Sequence, residues 1–372
     1  MVFVLRGRIN ARSVVVGVLI LLLSSLVLAA PIGAISRVEG YKLDARGGVR
    51  GPPSKVEGVS VSIAYPEDGG VLDVGTHAID VKATGEGVTI TVTINGNTTD
   101  ITNTRSGDYY VLYPWTVDVA GTYVITAEAI DANGNEATAS ITVTVFSNVE
   151  ESVPVTYELI LEIDYISGHE PTSTVLDYIY RYYRVQGILV TFWVDDVVED
   201  PTPYTGVTDD DFWVIESMYN DVVLFNDRAQ DGFDADGDGS DYEYTLKEKW
   251  VLFGTVVEGQ PNVVGYCYVK IEKKDLVAGN YIFIADEAAD NWSYSNGLEP
   301  YSAEATVLMH ELGHSIGVGK LRVRGIFVTE VYDEDPFSVM SYLSTENAGL
   351  IDAWHYSNEY WATRNMEYYE YS

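Results

Sequence analysis

Two histidines four residues apart constrain the fold of this chain more than any other feature. His310 and His314 lie in the stretch M-H-E-L-G-H-S-I-G, residues 309–317. Residues at positions i and i+4 of an α-helix lie on the same face, so the two imidazoles can hold one metal ion between them. Residues 302–308 favour a helix that begins near Ser302, which is a suitable N-cap. The alternative is an amphipathic helix whose two histidines bind no metal.

Three further features surround the histidine pair. Glu311 follows the first histidine, where a general base could reach a metal-bound water. Gly317 suits a chain that leaves a helix with a positive φ. Residues 338–342 are S-V-M-S-Y. Together, H-E-x-x-H-x-x-G and this methionine-containing segment resemble the metzincins, a family of zinc endopeptidases.

The resemblance implies a role for each matched residue. His310 and His314 would bind zinc, and Glu311 would be the general base. Met340 would form an apolar floor below the metal, and Tyr342 would be a switchable ligand that stabilises the transition state. The resemblance also implies an α+β zincin domain that hydrolyses protein or peptide substrates. An extended substrate would pair with the last strand before the helix, which is expected at the sheet edge.

The third zinc ligand departs from the family pattern. The matching position holds Lys320, and a protonated ammonium has no lone pair for a metal. Residues 319–325 and 327–332 favour a β-hairpin that returns the chain to the end of the helix, so the replacement is expected there. Asp333 is the predicted third ligand, because a short carboxylate can replace an imidazole on zinc. The other candidates are Glu330, Tyr332, Glu334, Asp335 and His355.

A second metal site is predicted in the acidic stretch 231–241, D-G-F-D-A-D-G-D-G-S-D. Asp234, Asp236 and Asp238, followed by Gly239, match the opening of a calcium-binding loop, where hard oxygen ligands converge on one cation. The glutamate that usually completes such a loop is absent, so Asp241 or Glu243 would have to replace it. The alternative is a flexible acidic loop.

Strand patterns divide the rest of the chain into two domains. Residues 58–147 contain short alternating strands, and Asn95-Gly96 and Asn133-Gly134 are strong hairpin signals. This pattern predicts an all-β sandwich that resembles bacterial-type Ig-like modules, either a spacer or an adhesive module for a surface or partner. Residues 148–372 alternate strands and helices, as the α+β zincin domain requires. The fold class is therefore multidomain, an all-β Ig-like sandwich followed by a metzincin-like domain.

The first residues predict export from the cytoplasm. Residues 1–34 combine a basic start with an apolar run at 13–30, which is typical of a secretory signal peptide or, alternatively, a retained N-terminal membrane anchor. Residues 35–57 are rich in Gly, Pro and charge and are expected to be a linker. Either alternative places the remainder in a secreted, extracellular or cell-surface location.

Charge and cysteine content exclude several classes of function. The chain has 22 basic and 56 acidic residues, a formal charge of −34, which disfavours nucleic-acid binding and favours divalent cations. Cys267 is the sole cysteine, so neither an intramolecular disulfide nor a cysteine zinc cluster can form. The sequence predicts an exported zinc endopeptidase; the alternative is a non-catalytic metal-binding surface or adhesion protein with a degenerate zincin domain.

Overall fold

A computed structural model describes residues 17–19, 58–198, 248–254, 264–272, 275–324, 327–366 and 369–371. The predicted calcium ligands Asp234, Asp236, Asp238 and Asp241 lie outside these ranges, as do the linker and most of the predicted signal peptide or anchor. Within the described ranges, no helix is long and apolar enough to cross a membrane. The chain is rich in β-structure, with a sandwich of two sheets followed by a region that combines a third sheet with helices.

Eight strands form the two sheets of the sandwich. They are β2 (Ser60–Tyr65), β3 (Val71–Asp73), β4 (Gly75–Thr84), β5 (Thr89–Ile94), β6 (Asn97–Asp100), β7 (Tyr109–Val117), β8 (Gly121–Ile130) and β9 (Glu136–Phe146). One sheet has the order β2-β4-β7 and the other the order β3-β9-β8-β5-β6. All neighbours are antiparallel except β3 and β9.

Alternation along each strand explains the sandwich. In β5, T-I-T-V-T-I, the three aliphatic residues are buried and the threonines are not, since successive side chains of a strand point to opposite faces. The predicted hairpins are confirmed. Asn95 and Gly96 both have positive φ, 46° and 90°, between β5 and β6, as a two-residue turn of this kind requires. Gly134, with φ 79°, lies between β8 and β9.

The second region is built on a six-stranded sheet with the order β1-β13-β14-β12-β10-β11. Its strands are β1 (Gly17–Leu19), β10 (Tyr157–Ile166), β11 (Ile188–Val198), β12 (Glu248–Gly254), β13 (Gly265–Glu272) and β14 (Asp275–Ala285). β10, β11, β12 and β14 are parallel, whereas β13 runs antiparallel to β14 and to β1.

The strand order corrects one expectation. β14 is the last strand before the histidine-bearing helix, but it pairs with β12 on one side and β13 on the other, so it is not an edge strand. β1 is the edge strand on that side, and it pairs with residues 268–270 of β13, where Gly17 opposes Lys270 and Leu19 opposes Tyr268. The edge expected from sequence order is wrong because β13 pairs antiparallel with β14 on the side away from β12.

Six α-helices lie in the described ranges. They are α1 (Val149–Ser152), α2 (Ser173–Val185), α3 (Asp286–Ser295), α4 (Tyr301–Ser315), α5 (Thr345–Ala348) and α6 (Asn358–Trp361). α4 carries the two histidines and is buried along nearly its whole length between β13, β14, α2 and α3. It begins at Tyr301 without a side-chain cap, so the prediction that Ser302 caps it is wrong.

The predicted hairpin after the helix is confirmed. β15 (Lys320–Arg324) pairs antiparallel with β16 (Phe327–Val331), and Lys320 opposes Val331. The hairpin returns the chain to the C-terminal end of α4 and leads into the methionine segment. The peptide of Asp333 then pairs with that segment, because its N–H donates to the carbonyl of Met340 at 2.9 Å.

Buried polar contacts join the sandwich to the second region. Asp80 in β4 and His355 are both fully buried, and their Oδ2 and Nε2 atoms lie 2.6 Å apart. The ring of Tyr65 stacks on His355 with 3.9 Å between the ring centroids. Arg181 of α2 binds Asp73 at 2.8 Å. The two regions therefore share a specific, partly charged interface.

Candidate metal centre

The two histidines of α4 face each other across one turn of the helix. Their Nε2 atoms lie 3.1 Å apart, and the rings are nearly perpendicular, with an interplanar angle of 89°. Both side chains are buried. Two ring nitrogens with lone pairs repel each other at this distance unless a proton or a cation lies between them, so the geometry suits a shared positive centre.

One backbone carbonyl fixes the tautomer of each histidine ring. Nδ1 of His310 lies 2.6 Å from the carbonyl oxygen of Val339, and Nδ1 of His314 lies 3.1 Å from that of Val318. A carbonyl oxygen only accepts, so each Nδ1 carries the hydrogen and Nε2 is left as the metal-binding nitrogen of the neutral ring. Metal-binding histidines are commonly oriented by such a bond from the other ring nitrogen.

The end of α4 explains how the carbonyl of Val318 reaches His314. Gly317 has a φ of 83°, the left-handed conformation that glycine adopts without strain. The N–H of Val318 donates to the carbonyl of Gly313 at 2.8 Å and that of Gly317 to His314 at 3.0 Å. These two bonds form a Schellman motif, which folds the chain back over the last turn.

The methionine segment, residues 338–342, packs against α4 at Gly313. A Cβ at Gly313 would lie 3.0 Å from Sδ of Met340 and 2.7 Å from Cε1 of Tyr356. Glycine is therefore the residue that permits this close approach. Met340 is fully buried, and the carbonyl of the preceding Val339 holds His310. The structure thus places Met340 against α4 at Gly313, the residue before His314.

The histidine pair fits zinc. With Zn–N distances of about 2.0–2.1 Å and tetrahedral angles, two nitrogen ligands are expected about 3.3 Å apart. The observed separation of the two Nε2 atoms, 3.1 Å, is close to this value. The tautomers are those of zinc ligands, so the residues present can hold the ion with little rearrangement.

Asp333 is not brought to the histidines. Among the His, Cys, Asp and Glu side chains that the structure describes, none joins His310 and His314 in a set of three within 4.8 Å. The carboxylate of Asp333 accepts hydrogen bonds from the N–H of Asp335, at 3.1 Å, and from the hydroxyl of Ser357. The hairpin returns as predicted, but this carboxylate stabilises the methionine segment instead.

Three of the other candidates for third ligand, Glu334, Asp335 and His355, are also placed elsewhere, as is Lys320 at the family's ligand position. Lys320 pairs with Glu359, Glu334 lies 3.4 Å from Lys82, and His355 is bound to Asp80. Asp335 is buried and accepts from the N–H of Phe337. The side chain of Glu330 lies outside the described part of the chain.

Tyr332 lines the same cavity as His310. Its ring centroid is 6.3 Å from that of His310 and 3.6 Å from that of Tyr342, on which it stacks. Sequence reasoning included Tyr332 among the oxygen donors but gave it no role. Strand alternation could not have separated Tyr332 from Asp333, because β16 ends at Val331, before both residues.

Glu311 also lines this cavity. The cavity is bounded by Val264, Gly265, Thr306, Val307, His310, Glu311, Tyr332, Val339, Ser341, Tyr342 and Leu343. A Cβ at Gly265 would lie 2.5 Å from Cγ1 of Val307 and 3.3 Å from Cγ of Glu311, so β13 passes directly over this face of α4. Tyr342 is half exposed at the rim.

Cys267 on β13 is excluded as a nucleophile. Burial, together with the nearby charge of Glu311, raises the pKa of its thiol well above the usual value. The thiolate is the reactive form of cysteine. The polar groups that line the cavity are therefore imidazole, carboxylate, phenol and aliphatic hydroxyl groups.

Comparisons with known proteins give only partial similarities. No family model matches the chain, and no curated protein matches it. A modular endo-β-1,4-mannanase from Cellulomonas fimi is 26% identical over 23% of this chain and 18% of its own, with a TM-score of 0.20. The chain thus spans less than a fifth of the mannanase.

Two small modules are matched over nearly their whole length. The fibronectin(III)-like modules of Clostridium thermocellum CbhA are 20% identical over 24% of this chain and 97% of theirs, with a TM-score of 0.20. The PKD1 domain of the Vibrio cholerae metalloprotease PrtV is 18% identical over 24% of this chain and 96% of its own, with a TM-score of 0.17. Because these TM-scores are far below 0.5, the similarities identify neither the whole fold nor an activity.

Proposed function

We propose that the chain is an exported zinc-dependent endopeptidase, resembling the metzincins, that hydrolyses protein or peptide substrates. One observation carries the proposal. The Nε2 atoms of His310 and His314 oppose each other at 3.1 Å, with each Nδ1 held by a carbonyl, and Glu311 lines the same cavity. This geometry supports a two-nitrogen metal site next to a carboxylate that can act as the base.

Five residues of the site have a chemical task in this proposal. Zinc, when bound by His310 and His314, polarises the scissile carbonyl and lowers the pKa of water at the site to about 7. The Glu311 carboxylate takes a proton from the attacking water and returns it to the leaving amine. The hydroxyl groups of Tyr342 and Tyr332 donate to the oxyanion of the tetrahedral intermediate.

The substrate class follows from the strand beside the cavity. β13 enters the cavity at Gly265, and among the described residues β1 pairs only with 268–270 of β13, so the backbone of β13 beside the cavity can pair with another chain. An extended peptide can add to an outer strand through main-chain hydrogen bonds, which bind a polypeptide without selecting one sequence. The proposed substrates are therefore extended or unfolded protein segments.

The decisive experiment compares Glu311→Gln with Glu299→Gln. Glu299 is an exposed glutamate just before α4, so its change removes the same charge away from the cavity. Both variants should bind about one zinc per chain, as the wild type should. Glu311→Gln should cleave an unfolded protein substrate about 10²–10⁴-fold more slowly, whereas Glu299→Gln should match the wild type. Equal cleavage by all three proteins would exclude the mechanism.

A non-catalytic metal-binding surface protein is the second candidate function. It is favoured by the absence of a third His, Cys, Asp or Glu beside the histidine pair among the side chains described. The same experiment separates the two functions. A wild-type protein that binds zinc but cleaves no unfolded substrate would support the non-catalytic alternative.

A further inference from the structure

Three carboxylates meet at the other end of α4, away from the histidines. Asp286 and Asp290 lie one turn apart on α3, and Glu304 lies on the first turn of α4. One oxygen of each lies within 4.8 Å of the others. The cluster therefore brings three anionic groups from two helices together at the ends of the parallel strands.

Two further elements orient these carboxylates. Nδ1 of His169, in the segment after β10, lies 3.0 Å from Oδ2 of Asp286. The N–H of Thr172, at the start of α2, donates to the carboxylate of Glu304 and favours its charged form. Four segments of the second region thus converge on one small volume.

No lysine or arginine among the described residues balances the charge of the cluster. Among the ion pairs between described residues, none joins these three carboxylates to a lysine or arginine. Burial, together with Asp286 and Asp290, raises the pKa of Glu304 to about 8. Burial, then Asp286, raises the pKa of Asp290 to about 6. Bringing the three carboxylates together thus works against their ionised forms.

Oxygen atoms in the cluster also lack hydrogen-bond partners. Oε1 of Glu304 and Oδ1 of Asp290 are buried and accept no hydrogen bond in the structure. Glu304 as a whole is only 3% exposed. A buried, unsatisfied carboxylate oxygen costs free energy unless a donor or a cation meets it. This orphaned oxygen on Glu304 is the observation, besides the clustering, that points to a ligand.

We propose that Asp286, Asp290 and Glu304 bind a calcium ion that fastens α3 to the start of α4. Calcium prefers carboxylate oxygens at about 2.3–2.6 Å, so its ligand oxygens lie at most about 5 Å apart. The three carboxylates already satisfy this spacing. The hydrogen bonds from His169 and Thr172 position two of the ligands, as supporting residues commonly do around metals. This site is separate from the histidine pair and uses no residue of the acidic stretch 231–241.

The test must first remove calcium binding by the acidic loop. The full-length protein with Asp234→Asn, Asp236→Asn and Asp238→Asn is stripped of metal, reloaded with one zinc, and titrated with Ca²⁺ by calorimetry. We expect one Ca²⁺ per chain and a higher melting temperature. Adding Glu304→Gln should weaken Ca²⁺ binding at least tenfold and remove the increase in melting temperature. Adding Glu287→Gln, at an exposed glutamate of α3, should change neither.

Two results would overturn the inference. One is that the protein with the three loop substitutions binds no Ca²⁺, or binds a second Zn²⁺ at the three carboxylates instead. The other is Ca²⁺ affinity that Glu304→Gln and Glu287→Gln affect equally. If Glu304→Gln fails to fold, Asp290→Asn replaces it with the same expected loss. The readout is Ca²⁺ binding and not cleavage, so an absence of endopeptidase activity would leave this inference standing.

Discussion

At the scale of single residues, the geometry of the site depends on backbone carbonyls more than on the motif itself. The sequence predicts the pair His310 and His314 from their spacing. It does not predict that Val339 and Val318 fix their tautomers, because those contacts need the helix end and the methionine segment in place. The structure does not bring Asp333 to the histidine pair for a related reason, since the direction of its side chain depends on where the returning strand ends.

The stacked tyrosines give the first prediction at this scale. Tyr342→Phe removes one donor to the oxyanion and should lower kcat about 10²–10³-fold, with KM changed little. Tyr332→Phe should lower kcat as well, since its ring lies 3.6 Å from that of Tyr342 in the same cavity. Steady-state kinetics on a quenched-fluorescent peptide would measure both parameters.

A matched change shows whether the hydroxyl groups act in the cavity. Tyr294→Phe alters a highly exposed tyrosine on α3 and should leave kcat and KM unchanged. Zinc content should stay near one per chain in Tyr342→Phe. If Tyr332→Phe instead lost zinc while Tyr342→Phe retained it, Tyr332 would be a metal ligand and its assignment as an oxyanion donor would be wrong.

At the scale of elements, the turn after α4 connects backbone conformation to metal binding. Gly317 is the left-handed residue of the Schellman motif that brings the carbonyl of Val318 to His314. Gly317→Ala should destabilise the protein by about 1 kcal/mol, because alanine is strained at positive φ. It should also weaken zinc binding, since the bond that orients His314 is disturbed.

Gly297 provides the control for that prediction. It has a φ of 71° at the end of α3, and a Cβ there would meet nothing within 4 Å. Gly297→Ala should therefore cost a similar amount of stability, measured by urea unfolding, without changing zinc affinity in a chelator competition assay. Equal zinc affinities for the two variants would show that the turn after α4 does not affect zinc binding.

Local patterns predicted the elements of this chain better than their arrangement. The hairpins at Asn95 and Asn133 and the pair β15–β16 follow from turn residues and strand alternation, which act over a few residues. The position of β14 inside the sheet could not be predicted, because it depends on pairing between distant segments. The acidic cluster was missed for the same reason, since His169, Asp286 and Glu304 are far apart in sequence.

At the scale of the whole molecule, the sandwich is joined to the second region by buried charge. A spacer or adhesive module on a flexible connection would not need such contacts. Asp80 and His355 are both fully buried and bound to each other, with the ring of Tyr65 stacked on the imidazole. Because His355 also holds the N–H of Val339 through its carbonyl, this interface adjoins the methionine segment.

The interface makes stability depend on pH. Burial opposes a charge on His355, but the Asp80 carboxylate outweighs it and raises the pKa of the imidazole. That stabilisation is present below the unfolded pKa of about 6.5 and is lost as the pH rises through the folded value. Asp335 also makes the protein less stable as the pH rises, because burial and the charge of Asp80 raise the pKa of its carboxyl group. The melting temperature should therefore fall between about pH 6 and pH 9.

Asp80→Asn tests whether this pair holds the two regions together. Removing one partner of a buried ion pair costs about 3–5 kcal/mol, so the variant should unfold at a lower temperature at pH 6 and show a flatter decline toward pH 9. Asp108→Asn, at an exposed position in the same sandwich, should change stability by less than about 0.5 kcal/mol and keep the wild-type slope. Calorimetric scans at several pH values would decide, since parallel slopes for wild type and Asp80→Asn would mean that the pair does not couple the interface to pH.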